Sequence, residues 1–158
     1  MFDVLIVGGG MVGAGMAVAL RPLGLKVGLV EAFAFEKSRS QPGYDDRSVA
    51  LSHGSSLIFK GMGLWQTLRP QVESIQHIHV SDRGYCGATR LSAEQQRVPA
   101  LGYVVESRVL GGALYDALAD SDIEVLAPAK VVALDQSAES SECVTKLTIE
   151  HFTKYLGI

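Results

Sequence analysis

The sequence has 158 residues, 47% of them apolar, and a net charge of −3. That is enough chain for one domain, or one and a fraction, with a core of its own, and the charge leaves no electrostatic footprint for nucleic acid. Two cysteines, Cys86 and Cys143, make neither a disulfide framework nor a zinc site, so a reducing, cytoplasmic compartment is the default.

The chain opens MFDVLIVGGGMVGAGMAVAL. Asp3 stands where a signal peptide would carry its basic region. The apolar run is broken by glycines and stops at Arg21-Pro22, too interrupted to span a membrane. Val4-Leu5-Ile6-Val7 is short, β-branched and continuous, which predicts a strand buried on both faces, as in a parallel sheet. Glycine is costly to order, so the cluster after it needs a geometric reason. Gly8, Gly10 and Gly13 fit G-x-G-x-x-G. The spacing predicts a helix over 11–20, ended or kinked by Pro22, with Gly24 as a helix-end glycine. A second strand, 26–30, closes at Glu31.

Each part of this order has a physical task. The first glycine allows a tight turn, the second lets backbone approach a pyrophosphate, and the third lets helix and strand pack closely. The helix N-terminus, with Met11 and Val12 in its first turn, offers N–H groups and partial positive charge to phosphates. Glu31, 18 residues after Gly13, can take both hydroxyls of a ribose and would repel a 2′-phosphate. The alternative is a glycine turn with no ligand. There is no G-K-[ST] of a nucleotide-triphosphate loop and no G-x-S-x-G nucleophile elbow. The turn alone does not separate FAD from NAD.

Beyond Glu31, AFAFEKSRSQPGYDDRS reads as loop around Pro42-Gly43. Residues 48–60 read as a helix, stopped near Gly61 and Gly63, with Leu64-Trp65 as an apolar anchor. Residues 75–82 alternate at period two, predicting one half-buried strand. Gly84 and Gly87 bracket a turn, with a return strand at 88–91. After a polar loop at 92–99 comes a strand at 103–105. A helical stripe over 107–119 uses Val109, Leu110, Ala113, Leu114, Ala117 and Leu118, although Gly111 and Gly112 cost it about 1 kcal/mol each. Strands are predicted at 123–126, 130–134 and 143–149, with 135–142 a turn or loop.

PGYDDRSVALSHGSS, GMGLW, IQHIHVSDRGYCGATRL and LGYVVESRVLGGALYDAL, in this order and spacing, closely resemble the ubiquinone-biosynthesis hydroxylases. These are flavin monooxygenases of the para-hydroxybenzoate hydroxylase type. The resemblance runs from Met1 to about Leu134. It implies an α/β fold: a Rossmann-like FAD-binding domain with a parallel sheet over residues 1–134. Within it, about 75–105 begins the strands of a small β-rich substrate segment, and 135–158 diverges. It also implies non-covalent FAD, with NAD(P)H as transient reductant and O2 as co-substrate. Oxygen that has added to the reduced flavin then supplies the hydroxyl delivered to the ring of a polyprenyl phenol. The cofactor carries the chemistry, so no catalytic side chain is demanded here.

By the same resemblance Gly8, Gly10, Met11, Val12 and Gly13 belong to the pyrophosphate turn, and Glu31 is the ribose acid. Arg47 lies near the ribityl and phosphate part; the alternative is an ion pair with Asp45 or Asp46. Arg108, or Ser107 before it, starts a helix that touches the cofactor; the alternative is a surface arginine. His77 and His79 share a strand face, which allows a metal pair. Without a third ligand they read more simply as strand histidines. Asp82-Arg83 shapes a turn, Cys86 is a small residue beside it, and Trp65 anchors the core.

The family's later A-D-G-x-x-S and G-D-A motifs are not in this sequence, and TKLTIEHFTKYLGI is unlike the expected continuation. The expectation is therefore a chain truncated relative to the family. Two other readings stand beside the hydroxylase. One is a non-catalytic dinucleotide-binding or assembly module of a quinone-synthesis complex; the other is an NAD-linked dehydrogenase fragment. The lipid-tailed substrates of relatives also imply peripheral contact with the inner face of the membrane.

Overall fold

The computed structural model describes residues 1–34, 47–82, 84, 87–139 and 142–151. The chain divides into two units. The first joins Met1–Arg39 to Leu118–Ile158, and the second is Ser40–Ala117.

In the first unit, β1 (Val4–Val7), β2 (Val27–Val30) and β8 (Glu124–Leu126) form a parallel sheet in the order β1-β2-β8. Val4 to Val7 lie opposite Val27 to Val30, and Gly28 to Val30 opposite Glu124 to Leu126. The expected parallel sheet is present, and its central strand, β2, is buried along its whole length. A strand covered on both faces must be apolar throughout, which Val27, Leu29 and Val30 satisfy. Gly28 serves packing: a Cβ there would lie 2.7 Å from a Leu5 methyl and 3.0 Å from the Phe2 ring.

Helix α1 (Met11–Leu20) follows β1 and buries Ala14, Ala17 and Val18. Its small buried residues permit close packing on the sheet. Pro22 acts as expected. The α-helix stops at Leu20, a 3-10 turn carries Arg21–Leu23, and Gly24 ends it in the left-handed conformation at φ 66°. The unit closes with an antiparallel hairpin, β9 (Ala129–Glu139) and β10 (Glu142–His151). Here 135–142 departs from the loop reading, because the ladder continues to Glu139 and resumes at Glu142. Polar composition argued for a turn, but a ladder needs only backbone N–H and C=O groups in register.

In the second unit, β7 (Gly102–Glu106) is the centre of an antiparallel sheet, with β3 (Ser48–Ser52) and β4 (Val72–Ile75) on its two sides. A Cβ at Gly102 would lie 2.5 Å from the Leu51 carbonyl oxygen, so glycine sets the approach of β3 to β7. Residues 48–60 are not one helix: Ser48–Ser52 is strand, and α2 is His53–Gly61. Val49 and Leu51 alternate with the exposed Ser48, Ala50 and Ser52, a period of two that the helix reading overlooked. Ser52 then caps α2, its hydroxyl accepting the Ser55 N–H at 3.0 Å.

Trp65, Leu64 and Leu68 are buried around the short α3 (Trp65–Leu68), and the Trp65 ring meets Tyr103 edge-on at 4.8 Å. The single strand expected at 75–82 is two. β4 ends at Ile75, and β5 (His77–Ser81) pairs instead with β6 (Ala88–Ser92). The break falls at Gln76, whose carbonyl accepts the Ala93 N–H and whose side chain donates to the Pro99 carbonyl at 3.1 Å. β5 is exposed on both faces rather than half-buried, since a two-stranded ribbon has no second layer of its own. Helix α4 (Ser107–Ala119) carries the expected stripe, with Leu110, Ala113, Leu114 and Leu118 buried.

Candidate functional site: a glycine turn closed by an acid

The chain leaves β1 through Gly8, whose N–H donates to the Val30 carbonyl at 2.8 Å. Gly8 has φ +99°, a conformation side chains rarely adopt. Gly10 is the N-cap of α1 in an extended conformation, its carbonyl accepting the Ala14 N–H at 2.9 Å. A Cβ built on Gly8 or Gly10 would meet nothing within 4 Å, so the turn's outer surface is bare backbone. At Gly13 the result is opposite: a Cβ would lie 1.9 Å from the Gly8 carbonyl oxygen. The three glycines thus do two different things. Gly8 and Gly10 keep the turn open, and Gly13 lets the helix lie against it.

Met11 and Val12 form the first turn of α1, with Val12 88% exposed. Gly10 has no side chain to cap the helix, and no acidic residue sits in its first turn. The helix's own first turn therefore leaves its leading N–H groups uncapped, which suits an anion.

Glu31 is pinned at both backbone and side chain. Its N–H donates to the Leu126 carbonyl at 2.9 Å, and its carbonyl accepts the Ala129 N–H at 2.7 Å. The carboxylate reaches back to the turn: Oε2 accepts the Gly9 N–H at 2.5 Å, and Oε1 accepts the Phe33 N–H at 3.0 Å. Two carboxylate oxygens offer about four acceptor positions, so acceptor capacity is left for hydroxyl groups. Spacing alone predicted the acid. It did not predict Gly9, because the variable position of the fingerprint carries no residue signal.

Arg47 and Arg108 both belong to the second unit, where they meet at one corner. The Arg47 carbonyl accepts two hydrogen bonds from Ser107, from its N–H and its hydroxyl, each at 2.9 Å. Arg108 is the next residue and forms an ion pair with Glu106, both side chains being about half-exposed. Sequence reasoning named Arg47, Ser107 and Arg108 but missed Glu106, whose spacing in Glu-Ser-Arg was the available signal. The other partners considered for Arg47, Asp45 and Asp46, lie outside the described residues, as do Arg83 and Cys86.

His77 and His79 are exposed on β5, opposite Ser92 and Arg90. Among the described residues no three metal-ligating side chains cluster, and no helix is long and apolar enough to cross a membrane.

Residues 1–151 match the family model described as FAD binding domain. Among curated relatives, the ubiquinone hydroxylase UbiL of Rhodospirillum rubrum is 34% identical over 84% of this chain and 30% of its own. The 3-demethoxyubiquinol 3-hydroxylase of Escherichia coli is 30% identical over 91% of this chain and 37% of its own. The chain thus spans about a third of the length of these relatives. Among solved structures, the OxyS anhydrotetracycline hydroxylase from Streptomyces rimosus superposes with a TM-score of 0.72. It is 17% identical, over 94% of this chain and 28% of that one, so the fold is shared. FAD is the family's cofactor, and the bare turn, the uncapped helix end and the inward-facing acid fit its ADP half. The chain belongs to the FAD-binding domain family, and the curated relatives it is similar to include hydroxylases of ubiquinone biosynthesis.

Proposed function

We propose that this chain is the FAD-binding portion of an aromatic-ring hydroxylase of ubiquinone biosynthesis, acting on a polyprenyl phenol with NAD(P)H and O2. The observation that carries the reading is the contact of Glu31 with Gly9, which brings a carboxylate onto an open glycine turn. In this reading the backbone of Gly8, Gly10, Met11, Val12 and Gly13 holds the diphosphate, and Glu31 accepts from the ribose hydroxyls. Arg47 and Arg108 are further cofactor contacts, their guanidinium groups suited to phosphate or ribityl oxygens. When bound, FAD supplies the redox chemistry and oxygen activation. The protein's own groups bind and orient it.

Residues 75–105 are assigned to the start of the substrate side. The β5–β6 register supports this, because Ile78 and Val80 share one ribbon face with Leu91 and Thr89. Such a face suits a prenyl tail. Peripheral membrane contact and membership of a quinone-synthesis complex would follow from such a substrate.

The test is equilibrium binding to the purified chain. FAD should bind, its flavin fluorescence changing with added protein until saturation, while FMN, which lacks the AMP half, should not compete. Competition by FMN equal to that of FAD would remove the reading. The activity itself is tested by NAD(P)H-dependent hydroxylation of a prenylated phenol by the flavin-loaded protein.

A further inference from the structure

We propose that Ser107 is a positioning residue for Arg47, an inference that rests on Arg47 being a cofactor contact. Ser107 is 4% exposed. A buried hydroxyl without a partner costs free energy, so its hydrogen must go somewhere. It goes to the Arg47 carbonyl, which already accepts the backbone N–H of the same residue.

The backbone bond alone would continue the pairing of β3 with β7, whose register ends at Ser48 opposite Glu106. The hydroxyl adds a second donor to one oxygen. A carbonyl oxygen has two lone pairs, and with both engaged the peptide plane after Arg47 resists rotation. The orientation of that plane fixes ψ of Arg47, and with it the base from which the long side chain starts. A guanidinium must be held within about half an ångström of its productive place to fork onto phosphate or hydroxyl oxygens. Ser107 therefore acts on the cofactor through Arg47, without touching it.

A purely structural role makes a different forecast. If the hydroxyl only secures the start of α4, removing it should weaken the fold and the binding whether or not the Arg47 side chain is present. The experiment is a double-mutant cycle on the full 158-residue chain. FAD affinity and melting temperature are measured for wild type, S107A, R47A and the pair. S107A should weaken FAD by about three- to tenfold, the scale of one lost hydrogen bond. R47A should weaken it more, and S107A added to R47A should cost nothing further in affinity. The melting temperature should move equally in both backgrounds. Should S107A not fold, S107C keeps the shape with a weak donor and carries the same comparison.

Unchanged FAD affinity in S107A overturns the proposal. So does an equal loss with and without the Arg47 guanidinium. Wild-type protein that takes up no FAD overturns the cofactor reading first, and this inference with it, so the two failures are distinguishable.

Discussion

An added methyl at Gly13 would lie 1.9 Å from the Gly8 carbonyl oxygen, while one at Gly10 would meet nothing within 4 Å. The two glycines, three residues apart, therefore predict opposite behaviour. Gly13→Ala forces β1 and α1 apart. It should cost about 1–3 kcal/mol of stability, the scale of overpacking, and lose the site with the packing. Gly10→Ala should cost under about 1 kcal/mol, since alanine is only a poorer N-cap. Its methyl, however, projects over the bare turn, so FAD affinity should fall far more than stability. Denaturant unfolding and FAD titration on both variants separate the effects; a Gly10→Ala protein that binds FAD normally would mean the diphosphate does not lie there. This level of the site was legible in the sequence because glycine spacing encodes a backbone shape directly. The Gly9–Glu31 bond was not, because any residue at position 9 could donate its N–H.

Elements were legible where one periodicity ran unbroken and illegible where two met. Strands β1 and β2, helix α1 and helix α4 each hold one pattern from end to end. Ser48–Gly61 holds two: a strand of period two that turns into a helix at Ser52, with no proline at the join and Gly54 already inside the helix. The join is marked by a cap, Ser52 accepting the Ser55 N–H. That cap makes the element testable. Ser52→Ala leaves a helix donor unsatisfied and should cost about 1 kcal/mol, lowering the melting temperature by roughly 2–4 °C for a chain of this size. Ser52→Asp, which keeps an acceptor and adds charge at the helix start, should recover the loss. If both substitutions destabilise alike, the boundary between β3 and α2 lies elsewhere. The split of 75–82 into β4 and β5 has the same origin, since period two continues through Gln76 while the pairing partner changes from β7 to β6.

At the scale of the molecule, neighbours in the first unit's sheet are far apart in sequence: Val30 lies beside Leu126, and the second unit is inserted between them. No local pattern announces such a pairing, so the two-unit organisation was beyond sequence reasoning even though the parallel sheet was not. The same topology ties the site to folding. The turn is held by Gly8 donating to Val30 and Glu31 accepting from Gly9, while Glu31 itself is bound by Leu126 and Ala129. These are contacts among three separate stretches of chain, and an unfolded chain has none of them. A ligand of the site thus binds the folded form alone and must stabilise it, by about 2.7 kcal/mol at a hundredfold excess over its Kd. At roughly 2–4 °C per kcal/mol, FAD at that excess should raise the melting temperature by about 5–10 °C. ADP carries the diphosphate and ribose that the turn and Glu31 are built to receive, so at the same multiple of its own Kd it should raise it equally. The check is thermal unfolding followed by circular dichroism across a series of ligand concentrations. A melting temperature indifferent to both ligands would show that the turn holds no diphosphate; a response to FAD but not ADP would move the recognition to the flavin half.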